Sequence, residues 1–153
     1  MLYPSLTDRL KNQHTTLNEL VSNLGNNQLA YRPGPGKWSI QDNITHLSTY
    51  QPIFIDRINA ILANNHPSFA PYRADDDEAF LSWRQRSISD LLKRLREDRE
   101  RLYQLITNLS ESELSRTGTH LRYGTMTITQ WTEFFLLHEA HHLFTIFKLA
   151  QSS

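Results

Sequence analysis

The chain has 153 residues, 16 basic against 16 acidic, a length that fits one compact domain over residues 1–153 and a balance that gives no field drawing nucleic acid or an anionic membrane. The absence of cysteine excludes disulfides, thiolate nucleophiles and sulfur ligands, leaving histidine and carboxylate as metal donors. No apolar run approaches the roughly 20 residues of a membrane span, and Met1-Leu2-Tyr3-Pro4 leads into polar sequence without a signal-like core, so a cytoplasmic protein with no membrane partner is expected.

From about Ser5 to Leu24 the residues Leu10, Leu17, Leu20, Val21 and Leu24 recur at three- and four-residue steps, the period of an amphipathic helix. Gly25-Asn26-Asn27 stops it, and Tyr31-Arg32-Pro33-Gly34-Pro35-Gly36 marks a tight connection. Ser39 with Asp42 three residues on predicts the cap of a second helix, whose buried stripe is Ile40, Leu47, Phe54, Ile58 and Ile61; Pro52 predicts a kink in its middle. Residues 64 to 77, with two prolines and three successive aspartates, read as a loop.

Phe80, Trp83, Ile88, Leu91, Leu92, Leu95, Leu102, Leu105 and Leu109 continue the helical period, in two pieces with a break near Ser87-Ser89. The sign-alternating run Lys93 to Arg101 is expected to be a solvated helix face. Ser110 through Glu113 has the form of a capping box opening one short turn, and residues 116 to 126 suggest an extended loop or small hairpin. Thr127 with Gln130 then caps a last helix running to about Ala150. Four long helices with short connections predict an all-α four-helix bundle.

On the last helix a step of 100° per residue aligns Trp131, Phe135, His138, His142, Thr145 and Leu149, with His141 off the edge. Two histidines four apart are rotated by only about 40° and can converge on one ion; a hydrogen-bonded pair of core histidines satisfies the same spacing. His46 lies on helix two, one turn after Asp42 and one before Tyr50. His14, between Leu10 and Leu17, lies on the inward side of helix one, where it either approaches the same cavity or serves simple polar packing. His66 and His120 fall in predicted loops and read as ordinary polar positions.

The run Pro33-Gly34-Pro35-Gly36-Lys37-Trp38-Ser39-Ile40, with His46 six residues beyond, resembles the loop and second helix of the DinB/YfiT-like superfamily. The tail from Trp131 to Leu137, followed by His138-Glu139-Ala140-His141-His142-Leu143, is similar to that family's last helix. The resemblance covers nearly the whole chain. It implies a four-helix bundle, often a homodimer, with a divalent metal held by His46, His138 and His142. Gln51 and Pro52 depart from the pattern, Gln51 standing where several relatives carry an acidic residue.

Three imidazoles around zinc leave an open position that suits activation of water or stabilisation of a thiolate; nickel, iron or manganese accept the same donors. The expected function is therefore metal-assisted hydrolysis of a small molecule or transfer of a low-molecular-weight thiol cosubstrate, with a noncatalytic ligand-binding or stress-associated bundle as the alternative. Asp42, Tyr50, His14 and His141 are candidate residues around the ligands. Leu136, Leu143 and Phe147 are expected to form an apolar side of the last helix, buried centrally or packed on a second subunit.

Overall fold

The computed structural model describes residues 1–152. Its helices are α1 (Pro4–Asn12), α2 (Thr16–Val21), α3 (Asn26–Ala30), α4 (Ile40–Ala63), α5 (Glu78–Trp83), α6 (Ile88–Thr107), α7 (Glu111–Leu114) and α8 (Ile128–Ser152). The strands are β1 (Ser68–Phe69), β2 (Thr117–His120) and β3 (Gly124–Thr127). The bundle consists of α1 with α2, α4, α6 and α8; α4 packs chiefly against α6 and α8.

The first helix expected from the leucine spacing is divided by a 3₁₀ turn at Gln13–Thr15, and the short α3 follows where only a stop was expected. α4 begins at a reciprocal capping box: Asp42 N–H donates to Ser39 Oγ and Ser39 N–H to Asp42 Oδ2, each at 3.0 Å. It continues as one assigned helix through Pro52. The break expected near Ser87 falls between α5 and α6, and Thr127 and Gln130 cap α8 reciprocally.

The anticipated hairpin is β2–β3, antiparallel with Thr117 opposite Thr127; β1 adds in parallel, Ser68 opposite Thr119. β2 approaches Ile61 of α4 closely at Gly118. A Cβ there would sit 2.8 Å from Ile61, so only a hydrogen fits. The indole N–H of Trp131 donates to the Gly118 carbonyl at 3.2 Å, fastening the sheet to α8.

The core is two apolar clusters, one around Leu10, Phe54, Leu102 and Leu136, the other around Leu17, Leu47, Leu95 and Leu143. Each bundle helix places a buried polar residue between its two apolar segments: His14, Gln51, Arg99 and Glu139. Arg99 is the hub. Its Nη2 donates to Glu139, its Nε to Gln51 Oε1 at 2.6 Å, and its Nη1 to Leu10 O at 3.2 Å and His14 Nδ1 at 3.1 Å. Gln51 Nε2 donates to Leu95 O at 2.8 Å, and Gln13 Nε2 donates to Glu139 Oε1 at 3.0 Å.

Two sequence expectations are corrected here. The run Lys93 to Arg101 is not wholly solvated: Asp98 and Arg99 are buried, because they fall on the stripe of Leu91, Leu95, Leu102 and Ile106. On α8, Leu136 and Leu143 face inward, whereas Leu137, Phe144 and Phe147 are exposed. The apolar side drawn from Leu136, Leu143 and Phe147 therefore mixes two faces of the helix.

Candidate metal centre

His46 comes from the second turn of α4 and His138 and His142 from successive turns of α8. Because α4 and α8 are neighbours, the three rings meet edge to face, with centroids 4.5–5.0 Å apart. Their Nε2 atoms converge: His46 to His138 is 3.1 Å and His142 to His138 is 3.2 Å. One ring nitrogen from each lies within 4.8 Å of the others. His138 and His142 thus fall on the inward stripe that helical phase predicts, and His46 joins them.

Asn43 settles which nitrogen of His142 is available. The Asn43 Nδ2 donates to the Ser39 carbonyl at 2.8 Å, so its Oδ1 accepts the Nδ1 proton of His142, also at 2.8 Å. The lone pair of His142 Nε2 is then left facing the cluster. His46 Nδ1 and His138 Nδ1 are buried without a partner, and packing sets these rings instead. His46 lies 5.1 Å from Trp38, 5.6 Å from Tyr72 and 5.8 Å from Tyr50; His138 lies 5.0 Å from Tyr50.

Burial keeps all three rings neutral. It pushes His138 down to about 4, His142 to about 3 and His46 to about 2, the neighbouring rings adding to the effect. Neutral imidazoles aimed at one another repel unless a proton or a cation lies among their lone pairs. Nitrogens about 2.1 Å from a common ion stand about 3.0 Å apart in octahedral and about 3.4 Å apart in tetrahedral directions. The His46–His138 and His138–His142 spacings fall between these values, and all three donors lie within 4.8 Å of one another, so the donor set fits a divalent ion.

Of the residues expected around the three histidines, Tyr50 touches His46 and His138 and lines the adjoining cavity. Burial raises its pKa, so it is a phenol at neutral pH. His141 is exposed and packs on His142 from outside, 5.2 Å between ring centroids. His14 belongs to the Arg99 layer instead. Arg99 donates to its Nδ1, and burial, helped by Arg99 and Arg96, pushes its pKa down to about 4.

Asp42 acts at one remove. It accepts from Arg32 Nε and Arg84 Nε, each at 3.0 Å, tying down the proline-glycine loop that carries Trp38. Burial alone would raise its pKa, but hydrogen bonds from Ser39 and Arg84 outweigh it and hold the carboxyl low.

The sequence reading passed over Asn43, Trp38, Arg57 and His120. Asn43 and Arg57 were within reach of it, lying three residues before and three helical turns after His46. His120 was not, because the hairpin brings it in: it is 4% exposed on β2, contrary to its expected place in an ordinary loop. Beside the triad opens a cavity of about 390 Å³ lined by all three histidines, the aromatic rings of Trp38, Tyr50, Tyr72, Tyr123 and Phe134, and Arg57 and His120.

A family model described as the DinB superfamily matches residues 9–146 of the chain. Among solved structures, Bacillus subtilis YfiT, described as a probable metal-dependent hydrolase with an unusual four-helix bundle topology, superposes with a TM-score of 0.82 at 20% identity, over 97% of this chain and 85% of that one. A DinB-like protein of Bacillus subtilis, YjoA, superposes with a TM-score of 0.62 at 18% identity, over 97% of this chain and 91% of that one. No curated protein matches the sequence.

Proposed function

The chain belongs to the DinB superfamily, and on that membership we propose that it is a divalent-metal-dependent enzyme acting on a small molecule, with His46, His138 and His142 as the protein ligands. The observation that carries this reading is the convergence of three neutral Nε2 atoms at the wall of a cavity. Zinc is the first choice, and nickel, iron or manganese suit the same donors. When bound, such an ion supplies Lewis acidity and an open coordination position.

The chain's own residues supply the rest. Asn43 holds the His142 tautomer and so keeps its lone pair directed inward. Trp38 and Tyr72 cover His46 and keep water from its ring. The Tyr50 hydroxyl, a protonated donor beside His46 and His138, can donate a hydrogen bond to an oxygen of the bound molecule.

Hydrolysis is the reaction proposed first, since YfiT shares the topology and is described as a probable metal-dependent hydrolase. Thiol transfer is the second reading, favoured by the make-up of the wall: Asp75 is the one carboxylate among the described lining residues. A water nucleophile needs a base, whereas a thiol with a pKa of about 8.5 ionises far more readily. The test is a screen of metal-loaded protein on simple esters and on electrophiles with and without an added thiol, against His138→Ala. Turnover that requires the thiol selects transfer. Equal rates in wild type and His138→Ala on all of them contradict an enzymatic triad.

A further inference from the structure

Arg57 stands three turns beyond His46 on α4, about 16 Å along the axis and rotated by only about 20°, so the histidine, Tyr50 and the arginine share one side of the helix. It is 8% exposed and lines the same cavity. Its guanidinium lies over Phe69 and Trp131, 5.4 Å and 5.9 Å from the ring centroids, and Nη2 donates to the Ala70 carbonyl at 2.8 Å. Its Nη1 is buried with no partner. No carboxylate among the described residues pairs with it, although the other buried arginine, Arg99, has Glu139.

A buried guanidinium without a counter-ion is costly, and the cost falls when a ligand brings the anion. His120 supplies a second donor nearby. Its Nδ1 accepts the backbone N–H groups of Arg122 and Tyr123 at 3.0 and 3.3 Å, which places the ring proton on Nε2. That Nε2–H has no partner among the described residues, and His120, like Arg57, packs against Trp131.

We propose that Arg57 and His120 form an anion subsite at the far end of the histidine cavity, so that the molecule acted on is elongated and carries a carboxylate remote from its reacting group. This rests on the reading of the triad as the reactive end. Because an arginine on a helix leans back toward its N-terminus, the two ends stand on the order of 10 Å apart. The aromatic walls between them suit an apolar middle. Arg73 and Arg122 on the same cavity wall are solvent-exposed and add an attractive field for an incoming anion.

The test compares 4-phenylbutyrate with 4-phenylbutyramide by calorimetric titration, on the protein as purified and after chelator treatment. The carboxylate is expected to bind at least tenfold tighter than the amide in both, and Arg57→Gln is expected to abolish the difference while metal content stays unchanged. Equal binding of the two by the wild type overturns the subsite whatever any variant does. A preference that vanishes with chelator but survives in Arg57→Gln means that the carboxylate goes to the ion, which overturns the subsite and leaves the triad standing. Loss of metal in His142→Ala with the preference intact supports the subsite independently. Should Arg57→Gln fail to fold, Arg57→Lys keeps the charge without the planar fork and is expected to reduce the preference severalfold; an unchanged preference there counts against the geometry.

Discussion

Asn43 Oδ1 accepts a hydrogen bond from the Nδ1–H of His142 at 2.8 Å while the Asn43 amide nitrogen donates to the carbonyl of Ser39. The tautomer of a proposed ligand is therefore fixed by the N-terminus of α4, the same capping box that starts the helix bearing His46. Replacing Asn43 with Ala should leave the fold intact and weaken metal affinity about 10–100-fold, the usual cost of losing such a partner. Competition against a chromophoric chelator measures it; unchanged affinity would mean that packing alone orients His142.

Acid should act on folding well before it acts on the site. Unfolded histidine binds a proton near 6.5, whereas in the fold His14 and His138 do so only near 4, His142 near 3 and His46 near 2. Between these values the unfolded state holds more protons, so the stability contributed by the neutral rings is fully present above about 6.5 and is lost as pH falls toward 4. His14 alone accounts for on the order of 3 kcal/mol. Thermal melts of metal-free protein should show Tm falling steadily from pH 7 to pH 4.5. A Tm flat across that interval would contradict the burial of these rings. Metal affinity measured on folded protein should hold down to about pH 4, lower than the onset near 6 that an unperturbed histidine would give.

The polar layer offers a third test. Truncating one member of the Arg99–Glu139 pair leaves its partner charged and buried, so Glu139→Ala should cost about 3–5 kcal/mol, whereas the double change Arg99→Met with Glu139→Leu should cost far less. Denaturant titrations of Arg99→Met, Glu139→Leu and the double variant against wild type form a double-mutant cycle. Additive losses would show that the two side chains do not interact.

Helical period carried most of the fold to the surface of the sequence. The stripes of α4, α6 and α8 and the caps at Ser39, Ser110 and Thr127 are local features, readable from a few neighbouring residues. What escaped is nonlocal or lies out of register with its surroundings. Arg99 sits on an apolar stripe, but the alternating charges around it suggested a solvated face; only its pairing with Glu139, forty residues away, accounts for the burial. His14 lies inward as the leucine stripe indicates, but that stripe gives a direction and not a height, so it leaves open whether the ring meets the histidine cavity or packs in the Arg99 layer, where it is found. His120 depends on a hairpin whose docking is set by Gly118, and nothing near it in the chain announces a cavity.

The two sides of α8 make opposite predictions. Leu143→Glu places a charge inside the core and should abolish folding, seen as loss of the helical circular dichroism signal. Phe147→Glu, on the exposed side, should fold normally. The twofold dimer implied by the family resemblance would have to use Leu137, Phe144 and Phe147, and light scattering on Phe147→Glu reads whether it does: a mass halved relative to wild type supports that face, and an unchanged dimer mass removes it.

The central claim is that His46, His138 and His142 hold one divalent ion, and elemental analysis of protein purified without a histidine tag tests it most directly. The expected result is about one ion per chain in the wild type and in His14→Ala and His141→Ala, falling to a small fraction in His142→Ala. No bound metal in the wild type, or the same content in His142→Ala, would contradict the account.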